Sequence, residues 1–172
     1  MASVLTQSLE DFEFIVVEDP SEQASTDVLA EFDDARIQYH LNSQRTSLVE
    51  QRDQALQLAR AELVAIFDSD DICEENRLDE QCRFLCENPD VDVLGSQLTI
   101  IDGDDVAFAR RNYPLDHDAI VNAMPVYCPL AQPAVMMRRQ KVLDAGGYQY
   151  GKFSCCQDYE LWSRLAVRGA KF

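Results

Sequence analysis

Short apolar runs alternate along this chain with polar stretches of helical spacing. Strands are expected over residues 12–17, 36–41, 63–67, 91–94, 97–101 and 134–138, where apolar and β-branched residues cluster between turn formers. Helices are expected over residues 25–32, 75–87, 116–124, 140–145 and 158–168, and residues 2–8 read as the tail of another. Ser47-Leu-Val-Glu50 is a capping-box signature, and Leu48, Val49, Ala55, Leu56 and Ala59 fall on one face of the helix it opens. Asp102-Gly103-Asp104 turns the chain back, and Gly146-Gly147 and Gly169 stop the helices before them. Strands alternating with helices imply an α/β domain with a largely parallel sheet. Leu63-Val-Ala-Ile-Phe67 is apolar throughout and reads as a strand buried on both faces.

Composition narrows the partners. The 172 residues suffice for one domain with a sizeable core. Asp and Glu total 31 against 15 Lys and Arg, a formal charge of −16, which argues against a nucleic-acid backbone or an anionic membrane surface as partner. No apolar run approaches the ~20 residues of a membrane span. Six cysteines, at positions 73, 82, 86, 128, 155 and 156, form no CxxC pair, and no secretory leader precedes them. They read as free thiols in a reducing compartment, with Cys82 and Cys86 as small core residues. Two histidines, His40 and His117, leave little room for a zinc site or a Ser-His-Asp triad, and His40 is expected as a packed, hydrogen-bonded imidazole within a strand.

The chemistry concentrates at Asp68-Ser69-Asp70-Asp71, directly after the 63–67 strand. In open α/β sheets, ligands bind beyond the carboxyl ends of the strands. Crowded carboxylates raise one another's pKa unless a cation neutralises them. Oxygen ligands with no nearby histidine suit Mg²⁺ or Mn²⁺ shared with a substrate's phosphates. An isolated pair of this kind is also a common solvated turn; its position after a buried strand favours the ligand reading.

Five segments in order resemble family 2 glycosyltransferases of the GT-A fold. Asp11-Phe-Glu-Phe-Ile-Val-Val-Glu-Asp-Pro-Ser21 resembles the family's "dfEiivvDDgS". Gln51-Arg-Asp-Gln-Ala55 with Ala59-Arg-Ala-Glu62 resembles "ARNxG…AxGE", and Phe67-Asp-Ser-Asp-Asp71 resembles "lDsDD". Pro129 to Arg139 resembles "npiaHpsvmfRR", and Gln157-Asp-Tyr-Glu-Leu-Trp-Ser-Arg-Leu165 resembles "EDydLwlRL". Gln157, Glu160 and Gln132 stand where the family has glutamate, aspartate and histidine.

The resemblance implies a Rossmann-like, mostly parallel sheet flanked by helices, and a nucleotide-diphosphosugar donor, with a UDP-sugar expected. Asp19 would accept from the base, Arg52 would face the diphosphate, and Asp70 would contact the ribose or a metal. Asp71 would be a metal ligand with Asp68 beside it, and the ion would be Mn²⁺ or Mg²⁺. Asp158 would be the general base that deprotonates an acceptor hydroxyl on a saccharide or lipid-linked acceptor, giving inversion in a single displacement. A place in polysaccharide biosynthesis is implied, in the cytoplasm or at the inner face of the membrane. Local alternatives are a solvated helix arginine for Arg52, an N-cap for Asp158 and a packing role for Trp162.

The family's opening strand has no counterpart here, and the chain stops before the closing acceptor-side segment. A single, partial domain over residues 1–172 is therefore expected, lacking the first strand. The 12–17 and 63–67 strands would each lose a neighbour, and either close on each other or drive association into a homodimer; association is the favoured expectation. Two rival functions are a HAD-type phosphohydrolase with Asp68 as nucleophile and a non-catalytic transferase remnant acting as a binding domain.

Overall fold

A computed structural model of the chain describes residues 1–22, 25–149 and 156–172. The elements run α1 (Ala2–Leu5), β1 (Phe14–Glu18), α2 (Thr26–Ala30), β2 (Ile37–Leu41), α3 (Leu48–Leu58), β3 (Leu63–Ala65), α4 (Arg77–Glu87) and β4 (Val93–Leu94). They continue with β5 (Leu98–Ile101), β6 (Ala107–Arg111), α5 (His117–Ala123), a 3₁₀ turn (Gln132–Ala134), β7 (Met136–Arg138), α6 (Arg139–Asp144) and α7 (Gln157–Val167). Every expected helix is present; α1, α2, α4 and α5 are shorter, whereas α6 and α7 are shifted one residue toward the amino terminus.

The α/β class holds, but the pairing corrects the expectation of a mostly parallel sheet. β1 and β2 pair in parallel, Phe14 opposite Ile37 through Glu18 opposite Leu41. β7 lies between β3 and β4 and is antiparallel to both, so β3 and β4 share one direction without touching. β5 and β6 form a separate antiparallel hairpin. β7 arrives from a 3₁₀ turn that follows α5 and leaves straight into α6.

The core has two layers divided by β3 and β7. On one side Val49, Leu56, Met137, Val142, Leu161, Trp162 and Leu165 join α3, α6 and α7, with Val64 and Ile66 packed against them. On the other, Leu78, Leu85, Val91 and Met136 gather under α4, joined by Leu63 and Ala65. The period-2 alternation of β3 thus sends successive residues to opposite layers. Trp162 is fully buried, as a packing residue would be.

Several expectations change. β1 and β3 do not close on each other and belong to separate ladders. β3 is therefore only half-buried rather than covered on both faces. Leu48, on the face predicted to be apolar and buried, is 52% exposed. Cys86 is also exposed, whereas Cys82 is half-buried. Among the described residues His40 Nε2 is buried without a hydrogen-bond partner, unlike the paired imidazole expected. The described cysteines are free thiols; Cys155 lies outside the described residues.

Candidate active site

The loop after β1 is built around Asp19. Its Oδ1 accepts from Asn42 Nδ2 at 2.9 Å and Thr46 Oγ1 at 2.9 Å, and its Oδ2 accepts from the Thr46 N–H at 2.7 Å. Asn42 holds its carboxyl down to about 2, against some burial, with Thr46 and Gln51 assisting. A carboxylate has about four lone-pair sites, and these donors engage most of them. Asp19 thus fixes the 42–47 loop at the head of α3. Glu18 is occupied in the same way, accepting from Tyr39 Oη at 2.8 Å and from the Ser25 N–H at 3.1 Å.

α3 begins with the expected capping box, in which Ser47 Oγ accepts from the Glu50 N–H and Glu50 accepts from the Ser47 N–H. One turn later Arg52 reaches across to Asp68, Nη2 to Oδ1 3.1 Å. The Arg52 side chain is 14% exposed and that of Asp68 38%, so the pair joins the protein interior to the cleft. A solvated helix arginine does not describe Arg52.

The acidic loop then folds over a buried cation. The Asp71 N–H donates to Asp68 O at 3.2 Å, closing a turn. Restricted solvation, then the charges of Asp68 and Asp70, raise the Asp71 pKa, while Arg77 opposes them. Arg77 lies beneath this turn and donates to Ile66 O at 2.9 Å and to Val135 O at 3.3 Å. Burial lowers its own pKa. Arg77 staples the end of β3 to the segment entering β7; nothing in its local sequence marks it for this role.

Asp158 is the second residue of α7, whose N-cap is Cys156, so it is not the cap. Its charge is felt at Tyr113, Cys128 and Tyr148. Tyr148 links the two sides. Its Oη accepts from Gln132 Nε2 at 2.9 Å, and both residues are buried. Burial pushes the phenol well up; Arg52 acts against that shift, and Asp158 and Asp68 reinforce it. Glutamine at position 132 therefore serves as a donor that orients Tyr148. Arg164 pairs with Glu160 and donates to Ala145 O and Gly147 O, locking α7 onto the turn that leads into Tyr148. The Glu160–Arg164 spacing was readable as a helical i, i+4 pair; Tyr148 and Asp53 gave no local signal.

Among the described residues no group of three or more His, Cys, Asp or Glu stands close enough to form a metal cage. Mg²⁺-type ions are commonly held by one or two carboxylates together with substrate phosphates. Asp70 and Asp71, both exposed beside the crowded turn, fit that donor set.

The sequence pattern of Glycosyl transferase family 2 matches residues 1–147. The chain belongs to that family. It is 28% identical over 176 residues to the uncharacterized glycosyltransferase MJ1057 of Methanocaldococcus jannaschii, covering 99% of this chain and 59% of the relative. It is 24% identical over 181 residues to WfaP of Escherichia coli, named as a UDP-Glc:α-D-GlcNAc-diphosphoundecaprenol β-1,3-glucosyltransferase, with 98% and 64% covered. In fold it is similar to the mannosyltransferase PcManGT of Pyrobaculum calidifontis, solved with GDP-Man and Mn²⁺. The TM-score is 0.71 at 15% identity, over 99% of this chain and 48% of that one. This family 2 chain thus has the GT-A fold and spans about three-fifths of the length of these two curated relatives. Membership of the family removes the phosphohydrolase reading of Asp68, whose Oδ1 is in any case engaged by Arg52. No described helix is long and apolar enough to cross a membrane.

Proposed function

We propose that this family 2 domain binds a nucleotide-diphosphosugar and transfers its sugar, with inversion, to an acceptor hydroxyl. The observation that carries the reading is the Arg52–Asp68 pair at the carboxyl end of β3, which sets a guanidinium beside Asp70 in the lining of one cavity.

Arg52 keeps guanidinium N–H groups beyond the one given to Asp68 and directs them to the donor phosphates, where its planar fork fits. Asp70 and Asp71 would hold Mn²⁺ or Mg²⁺, which when bound neutralises charge building on the departing diphosphate. Asp158 accepts the acceptor's proton as the glycosidic bond forms, from the face opposite the leaving group. Asp19 positions the loop that carries α3 rather than reading the base. The name of the WfaP relative favours UDP-glucose as donor and a lipid-linked saccharide diphosphate as acceptor; the GDP-Man complex of the structural neighbour makes GDP-mannose the comparison to run.

Calorimetry with UDP and GDP, and donor turnover with UDP-glucose and GDP-mannose, test the reading with Mn²⁺ or with excess chelator. Nucleotide binding strengthened by the ion and sugar release from one donor are expected. Equal affinity in chelator, or binding without any turnover, would leave a transferase remnant in its place.

A further inference from the structure

The sequence has two pairs of consecutive arginines, and the fold treats them differently. Arg138 and Arg139 direct their donors into the protein, to Glu62, Val91 O, Leu85 O and Leu56 O. Arg110 and Arg111 stand exposed on β6. Among the described residues neither side chain donates a hydrogen bond or forms an ion pair, in a chain with 31 Asp and Glu.

The β5–β6 register sends these two side chains to opposite faces of the hairpin. Arg111 stands across from Leu98, which packs against Tyr113, Ala131 and Ala134. Its guanidinium lies over the Tyr113 ring, 5.3 Å from the centroid. Arg110 stands across from Thr99, on the outer face. Tyr113 is a fixed platform: it is buried, its N–H donates to Gln97 Oε1 at 2.6 Å, and its C=O accepts from Gln97 Nε2 at 3.1 Å. An aromatic face holds a cation without using its N–H groups, so the donors of Arg111 remain available.

The first turn of α7 is tied to the same region. Tyr159, next to Asp158, donates to Met124 O, and the segment after Met124 runs through Cys128 to Ala131 of the Tyr113 cluster. The charges of Arg111 and Asp158 oppose each other at both Tyr113 and Cys128. Close to these two residues in sequence are apolar side chains open to solvent. Leu115 is 85% exposed, Val126 81% and Tyr127 46%.

We infer that Arg111 binds the phosphate of an amphiphilic acceptor whose lipid chain lies along Leu115, Val126 and Tyr127. The inference rests on the reading of Asp158 as the base and of the acceptor as a lipid-linked saccharide diphosphate. Such an acceptor carries its anion at the anomeric carbon and its nucleophile at a hydroxyl elsewhere on the ring. A cation beside the base would therefore select it from uncharged saccharides and orient the hydroxyl. The planar fork of arginine can meet two phosphate oxygens at once. In a chain of formal charge −16, overall attraction draws no anion in, so a local unpaired cation has to do so. Arg52 serves the donor's diphosphate, and Arg111 the acceptor's.

Calorimetry on the full 172-residue chain tests this without a donor and in excess chelator. One probe is α-D-GlcNAc diphosphate esterified to a decyl chain, the headgroup in the name of the WfaP relative. The other is the decyl glycoside of α-D-GlcNAc, which lacks the phosphates. The diphosphate probe should bind about tenfold or more tightly than the glycoside. Arg111→Gln should remove most of that preference, and Arg111→Lys should retain part of it. Arg110→Gln, on the outer face, should keep it. Both side chains are exposed, so melting temperatures should stay close to that of the parent. No binding of the diphosphate probe, or equal affinity for the two, overturns the proposal. A preference that survives in Arg111→Gln also overturns it. Equal loss in Arg110→Gln shows a diffuse basic patch in its place. Arg111-dependent sedimentation with phosphatidylglycerol vesicles, alongside equal affinity for the two probes, shows a lipid-headgroup contact instead. Nucleotide takes no part in these measurements, so failure here and failure of donor binding are read separately.

Discussion

Asp53 and Gly147 meet where α3 packs against the turn before Tyr148. Asp53 Oδ1 accepts from the Tyr148 N–H at 2.9 Å, and the same oxygen lies 2.1 Å from where a Cβ on Gly147 would stand. Gly147 also has φ +63, a left-handed conformation that L side chains rarely adopt. The absence of a side chain there is what lets α3 and the turn before Tyr148 approach this closely.

Gly147→Ala should therefore destabilise the protein by roughly 1–3 kcal/mol, from backbone strain together with displacement of Asp53. Denaturant melts measure it. Combined with Asp53→Ala, the loss should be less than additive, because the second change removes the clash. Strict additivity would show that the two residues do not interact.

Acid should release the clamp that Glu13, just before β1, makes on the Arg60 and Ala61 N–H groups just before β3. Glu13 is partly buried, which raises its pKa, but Arg60, Gln38 and Ala61 outweigh this and bring it from 4.5 down to about 2. A folded pKa below the unfolded one contributes stability that is complete above pH 4.5 and lost as pH falls through about 2. Glu13→Gln should cost about 1–2 kcal/mol near neutrality, discounted for partial exposure. The gap between the two melting curves should close across that acid window, and a gap independent of pH would contradict it.

The Arg52–Asp68 pair carries the donor side of the proposal. Arg52→Lys retains the charge but loses the fork, and UDP affinity should fall about tenfold or more. Arg52→Ala should lower it further. Calorimetry in Mn²⁺ reads both, and unchanged affinity would remove Arg52 from the diphosphate site.

Asp158 carries the acceptor side. Asp158→Asn keeps the shape but cannot take a proton, so sugar transfer should fall by about 10² or more. UDP affinity should hold, since the Arg52–Asp68 pair does not involve Asp158. Parental turnover in the variant would assign the base elsewhere.

Features set by neighbours in sequence could be read from the chain alone. The Ser47–Glu50 capping box forms within a single turn, and the helix stop at Gly146-Gly147 needs only the positive φ that glycine permits. The apolar runs that became β1 and β3 were legible because burial favours such residues wherever the strands end up. The Arg52 and Asp158 positions came from motif order, and the fold pairs Arg52 with Asp68. Other features depend on partners far apart in the chain. The Tyr148 N–H meets Asp53 across 95 residues, and Arg77 reaches Val135 across 58. The carboxylate of Asp19 proved to be engaged by Asn42 and Thr46, which the β1–β2 pairing brings close. Hydrogen-bond partners for a strand are set by which strand lies alongside, and here β1 pairs with β2 while β3 pairs with β7 from the far end of the chain.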